Sequence, residues 1–143
     1  MSRFIPGAEL AQLTARQTRR GSRSRLRSFR VLIVAAATLG GFVSELGWRP
    51  QPFFLEWHAG QGAVLLVLAV IITVLAFAWS RSAGLARGAR WWSVVALLSV
   101  LSAAMGGYLF VMSGFANGSN SAQMGGSFIA AYASYFMTLY YTK

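Results

Sequence analysis

The sequence predicts an all-α, integral membrane four-helix bundle with both termini cytoplasmic and a basic amino-terminal arm. Three observations predict it. The chain of 143 residues is 56% hydrophobic before its 15 glycines are counted, whereas a soluble domain reaches about 45–50% with glycine included. Charged residues make up only 11% and are one-sided, 13 basic against 3 acidic. The apolar residues form runs of membrane length, and the basic residues fall between them. The length suits one compact domain, divided into an arm (1–30) and a transmembrane domain (31–143). Cysteine is absent, which excludes disulfides, thiol chemistry and cysteine-held metal clusters within the chain.

The arm carries eight arginines and one glutamate over its first 30 residues. Leu10 and Leu13, with Ile5, share a side of Ala8–Arg20 opposite arginines. That leaves two readings open, a short amphipathic surface helix or a solvated arm. Gly21–Ser28, GSRSRLRS, reads as a flexible basic linker.

Four apolar spans follow, at about 29–47, 60–80, 91–113 and 124–141. The core of the first, Val31–Gly47, rises about 25 Å against a hydrocarbon slab of about 30 Å, so it needs its flanks to span. The second is rich in Val, Ile and Leu and is the clearest. Trp91–Thr142 has no formal charge over 52 residues and must fold back on itself. The Gly, Asn and Ser cluster GFANGSNSAQ, Gly114–Gln123, marks the break.

Orientation follows from the basic residues. The arm, the second loop with Arg81, Arg87 and Arg90, and Lys143 hold twelve of them, against Arg49 alone in the other two loops. The positive-inside rule therefore places both termini and the middle loop in the cytoplasm. Aromatic belts agree, with Trp48, Phe53, Phe54 and Trp57 at the outer boundary and Trp79, Trp91, Trp92, Tyr140 and Tyr141 at the inner one. A cleaved secretory signal is not expected, because Ala35–Ala37 lies too early in the first apolar run.

Helices in lipid associate through small residues that allow close backbone approach. Such ladders occur in the first span (Ala36, Gly40, Ser44), the third (Ser99, Ala103, Gly107, beside Ser102 and Gly106) and the fourth (Gly126, Ala130, Ser134, Thr138). The second span has Gly62, Ala69, Thr73, Ala76 and Ser80 on one face. A ladder does not say whether its neighbour is another span or another subunit.

Few residues carry chemistry. His58, the one histidine, suits an interfacial group bonded to backbone or headgroup. Its other use would be as a haem b ligand, with Met124 as the second axial group at a similar depth. Glu56 would then orient the imidazole. Glu45 suits an ion pair with Arg49 one turn later better than proton-coupled transport. Together with Asn117, Asn120 and Gln123, these residues mark one end of the spans as the place for any ligand. The aromatic residues Phe128, Tyr132, Tyr135 and Phe136 read as packing rather than a pigment groove. Asn117-Gly118-Ser119 is a glycosylation sequon, relevant only in a eukaryotic secretory setting. No phosphate loop, paired carboxylates or base-activated nucleophile is present, so no catalytic residue is expected.

The expected role is a non-catalytic accessory subunit of a larger membrane complex, of the energy-transducing (respiratory or photosynthetic) kind, in a bacterial or archaeal cytoplasmic membrane. Its expected partners are other membrane subunits through the ladders, and anionic headgroups or an acidic partner through Arg16, Arg19, Arg20, Arg23, Arg25, Arg27 and Arg30. Nucleic acid is not expected, because the arm lacks interleaved aromatics. Two alternatives belong to other classes, a small cytochrome b-like module using His58 and a small proton-coupled transporter using Glu45.

Overall fold

The computed structural model describes residues 7–46, 52–81 and 85–142. Four helices account for nearly all of them: α1 (Gly7–Leu46), α2 (Pro52–Ala78), α3 (Arg87–Met112) and α4 (Gly118–Tyr140), with no strand among the described residues. Trp48, Arg49 and Lys143 lie outside this set, as do the side chains of Leu10, Leu13, Ser44, Glu45, Phe53 and Phe54.

The largest departure from expectation is α1, which runs unbroken for 40 residues. The expected linker Gly21–Ser28 is helical throughout, and the boundary between arm and first span falls inside one helix. The physical reason is that extending an existing helix is far easier than nucleating one. Between Leu10 and Phe29 only Gly21 is a poor helix former of the first rank, at about 1 kcal/mol against Ala. Similarly, α2 begins at Pro52 rather than near Gly60, with the proline in the first turn, where its missing N–H costs nothing. Glu56, Trp57 and His58 are therefore helical residues.

The break between α3 and α4 is shorter than the Gly114–Gln123 cluster suggested. Gly114 and Phe115 both take the left-handed conformation, with φ of 65° and 64°. The Phe115 N–H donates to the Phe110 carbonyl at 3.0 Å, closing the last turn of α3. The two rings of that pair meet edge to face, 5.5 Å apart. Asn117 then starts α4, its side chain accepting the Ser119 N–H at 3.1 Å, the usual device for satisfying an orphan donor of the first turn.

The helices form a ring in chain order. α1 packs on α2 and α4, α2 also packs on α3, and α3 makes its widest contact with α4, whereas the backbones of the diagonal pairs stay farther apart among the described residues. Every neighbouring pair is antiparallel. Phe29 meets Trp79 while Gly40 faces Leu65; Thr73 reaches Ser93 while Phe77 lies under Arg90; Gly88 faces Tyr141 while Gly106 faces Met124. The ring closes where Arg30 meets Thr142 and Gly40 meets Phe128. This is an up-down-up-down bundle.

Buried residues recur at steps of three and four, as interdigitating helices require. The larger share are apolar, Phe29, Ile33 and Ala36 on α1, Leu65, Ala69, Ile72 and Ala76 on α2, Ala89, Ala96 and Val100 on α3, and Ala131 and Tyr135 on α4, and Ser93, Ser134 and Thr138 are buried with them. Alanine dominates this core in number, and Phe29, Ile33, Ile72 and Tyr135 are among its bulkiest members. The outer surface is strongly apolar, with Val31, Val67, Val74, Leu98, Met105 and Ile129 all more than half exposed. Two helices among the described residues are long and apolar enough to cross a membrane. They are α2 over Glu56–Ala78, at mean hydropathy 2.6, and α3 over Arg87–Met112, at 2.1.

Candidate functional site

The bundle has two ends of different character, and the arm extends beyond one of them. At the end where the chain finishes, Arg30 on α1 donates from Nε to Thr142 Oγ1 at 3.4 Å and from its terminal nitrogen to the Thr142 carbonyl. Thr142 lies just past the C-cap of α4, Tyr141, so Arg30 holds the chain where it leaves the helix and places a cation where the helix dipole favours it. Expected among the residues offered to headgroups or partners, Arg30 is instead half-buried within the chain's own fold. Nearby, Phe29 packs edge to face on Trp79, and the Arg90 guanidinium lies 5.9 Å above the Phe77 ring, an orientation in which the ring face attracts the cation. Gly88 is indispensable to this end. A Cβ there would lie 2.7 Å from the Tyr141 ring.

At the opposite end α3 and α4 approach most closely. A Cβ on Gly106 would lie 3.0 Å from the Met124 nitrogen and 3.1 Å from the Asn120 carbonyl oxygen. One on Gly107 would lie 3.3 Å from the Met124 sulfur. Ser127 donates to Ser102 across the helices at 2.8 Å, and the Gln123 amide reaches the Ser102 hydroxyl and carbonyl at 3.4 Å. The polar residues expected to gather around a ligand are thus largely committed elsewhere. Asn117 caps α4, Gln123 and Ser127 bind Ser102, and the Met124 sulfur rests on Gly107. His58 is half-buried on the same face of α2 as Leu65 and Ala69, and Glu56 is exposed. Because the backbones of α2 and α4 do not come close, His58 and Met124 sit on diagonal helices rather than on neighbouring ones.

The small-residue ladders divide into two kinds. Ala36, Gly40 and Gly106 are buried, and Gly40 accepts the Phe128 ring at 3.2 Å from its would-be Cβ. On α4, Ser134 and Thr138 are buried and bond back to the Ala130 and Ser134 carbonyls at 2.7 and 2.8 Å. Such back-bonds satisfy hydroxyls where water is absent. Gly126 and Ala130, by contrast, are exposed, and nothing lies within 4 Å of a Cβ built on Gly126. The ladder therefore twists out of the bundle at its amino-terminal half. The aromatic row splits the same way. Tyr135 is core, while Tyr132 bridges Phe128 and Phe136 at 6.3 and 5.0 Å on the outside.

Along the arm, Arg16, Arg19, Arg20, Arg23, Arg25 and Arg27 are all exposed. Arg20, Arg23, Ser24 and Arg27 line a shallow groove on one helix face. Sequence reasoning found these arginines but not their alignment, because a linker has no faces. It missed Gly88 and Thr142 altogether, and it named Ser102 only as a packing residue, not as the hydrogen-bond partner of Gln123 and Ser127. No protein-family model, curated protein or solved structure matches the chain.

Proposed function

We propose that the protein is a non-catalytic accessory subunit of a larger, energy-transducing membrane complex, spanning a bacterial or archaeal cytoplasmic membrane four times with both termini inside. One observation carries the reading. Only 22% of the most apolar stretch of α2 and 17% of that of α3 are buried inside the bundle. Apolar side chains left outside a fold need another apolar medium, and for helices of this length a bilayer provides it. The antiparallel packing of α1 and α4 against them supports a like depth for the shorter apolar reach of α1 and the hydroxyl-bearing α4. Within that bilayer the hydrogen-bonded polar groups serve packing. Hydroxyls back-bond to their own helices, and Ser102, Ser127, Thr73 and Arg30 tie helices together. The outward Gly126 and Ala130 leave a smooth strip for a neighbouring span.

Two measurements test the proposal. Reporters fused at Ser2 and Ala86 should light up on the same, cytoplasmic side, and opposite sides would refute the topology. Mild detergent extraction followed by mass spectrometry should recover the chain with other membrane subunits, whereas an isolated homo-oligomer, or a haem absorption band lost on His58→Ala, would refute the accessory role.

A further inference from the structure

We propose that the arginine face of the α1 arm docks an acidic α-helix from a soluble partner, standing clear of the membrane rather than lying on it. The inference rests on the bilayer reading above. Arg16, Arg20, Arg23 and Arg27, all exposed, recur at steps of four, three and four, which at 3.6 residues per turn confines them to an arc of about 60°. Arg19 flanks that arc. Arg25 lies on the opposite side, among Thr14, Thr18, Gly21 and Ser28.

The continuity of α1 decides how far this face stands from lipid. Arg30, bonded to Thr142, marks the edge of the bundle. At 1.5 Å per residue, Arg23 lies about 10 Å farther along the axis, Arg20 about 15 Å and Arg16 about 21 Å. The headgroup layer is only about 5–8 Å deep on each side, and charges are screened over about 8 Å at physiological salt. Headgroups therefore serve Arg27 and Arg23, their screened field fades near Arg20, and Arg16 stands beyond it. A surface-lying arm would need a bend, and Gly7–Leu46 contains no break.

Nor can the chain neutralise this face itself. Its carboxylates are Glu9, Glu45 and Glu56. Glu9 precedes Arg16 by seven positions, about 10 Å along the helix. Glu45 and Glu56 belong to the opposite end of the bundle.

The spacing identifies the occupant. Guanidinium forks at four-three-four steps match glutamates placed at the same steps on a helix lying alongside, the geometry of paired helices. A nucleic acid fits less well, since residues 7–28 contain no aromatic side chain for bases to stack on.

The test uses the full-length protein in phosphatidylcholine nanodiscs and a fluorescent helical peptide whose glutamates follow the four-three-four pattern. Its control is an isomer of the same composition with the glutamates scattered around the helix. The patterned peptide should bind at least about tenfold more tightly. The triple variant R16Q/R20Q/R23Q should lose that preference, while R25Q retains it. Equal binding of the two peptides, or an equal loss in R25Q, overturns the proposal. So does tighter binding of a short RNA, which would make the occupant a nucleic acid. Loss of peptide binding when phosphatidylglycerol is included would place the arm on the bilayer and overturn it as well. Failure of the bilayer reading is read separately, by release of the protein from membranes in alkaline carbonate. The peptide titration then stands or falls in free solution.

Discussion

The contact between α3 and α4 makes a sharp prediction about two glycines that look alike in sequence. Gly106 and Gly126 both belong to small-residue ladders, yet a Cβ on Gly106 would meet two backbone atoms of α4 at 3.0 and 3.1 Å, and one on Gly126 would meet nothing within 4 Å. Backbone cannot swing aside as a side-chain tip can, so Gly106→Ala forces α4 outward by roughly 0.3–0.4 Å to restore ordinary contact. The helix-propensity gain of about 1 kcal/mol offsets part of an overpacking cost of about 1–3 kcal/mol. Alanine should therefore be close to neutral or mildly destabilising. Gly106→Val adds two more carbons and a stiff χ1, and should lose roughly 2–3 kcal/mol. Gly126→Ala should gain up to about 1 kcal/mol. Thermal unfolding in mild detergent, followed by far-ultraviolet circular dichroism, reads the difference. The valine variant should melt on the order of 5–10 °C below the parent, with the Gly126 variant at or above it. If Gly106→Val melts with the parent, or if the two positions respond alike, the close approach of α3 and α4 is refuted.

Two further predictions concern the polar ties between helices. Arg30→Gln removes a charged donor from the Thr142 carbonyl, and a bond of that kind contributes about 1.5–3 kcal/mol. Amide exchange over Leu139–Thr142 should speed up while α2 keeps its protection, and unchanged exchange would show that the clasp does not hold this end. For Ser102 and Ser127, a double-mutant cycle to alanine should give a coupling of about 0.6 kcal/mol, the usual size of an interhelical hydroxyl bond in a bilayer. A coupling of zero would mean that the 2.8 Å contact adds nothing beyond packing.

How much was legible follows from what kind of signal each feature leaves. The α2 and α3 runs announce themselves through hydropathy, a local property, and the Asn117 turn through residues that cap and bend. Helix starts were harder. Hydropathy stops at Glu56 and His58, but the backbone does not, so Pro52–Ala59 was missed as helix. Gly21 and its serine neighbours resemble a linker in composition, and only the helix already established downstream carries them along. The candidate site was less readable still. A ladder of small residues fixes a face but not its neighbour, which is why Gly106 and Gly126 could not be told apart. The Arg30–Thr142 contact joins residues 112 positions apart, and no local pattern encodes such a pair.

The unbroken length of α1 has a mechanical consequence. A 40-residue helix is a rod of about 60 Å, and the clasp at Arg30 acts as a fulcrum between the part outside the bundle and the part inside. Arg16 stands about 21 Å to one side of that fulcrum and Gly40 about 15 Å to the other. A sideways pull of 3 Å at Arg16 therefore tips the Gly40 segment by roughly 2 Å, against the Phe128 ring that rests on it. Whatever seizes the free end of this lever also loads the joint between α1 and α4.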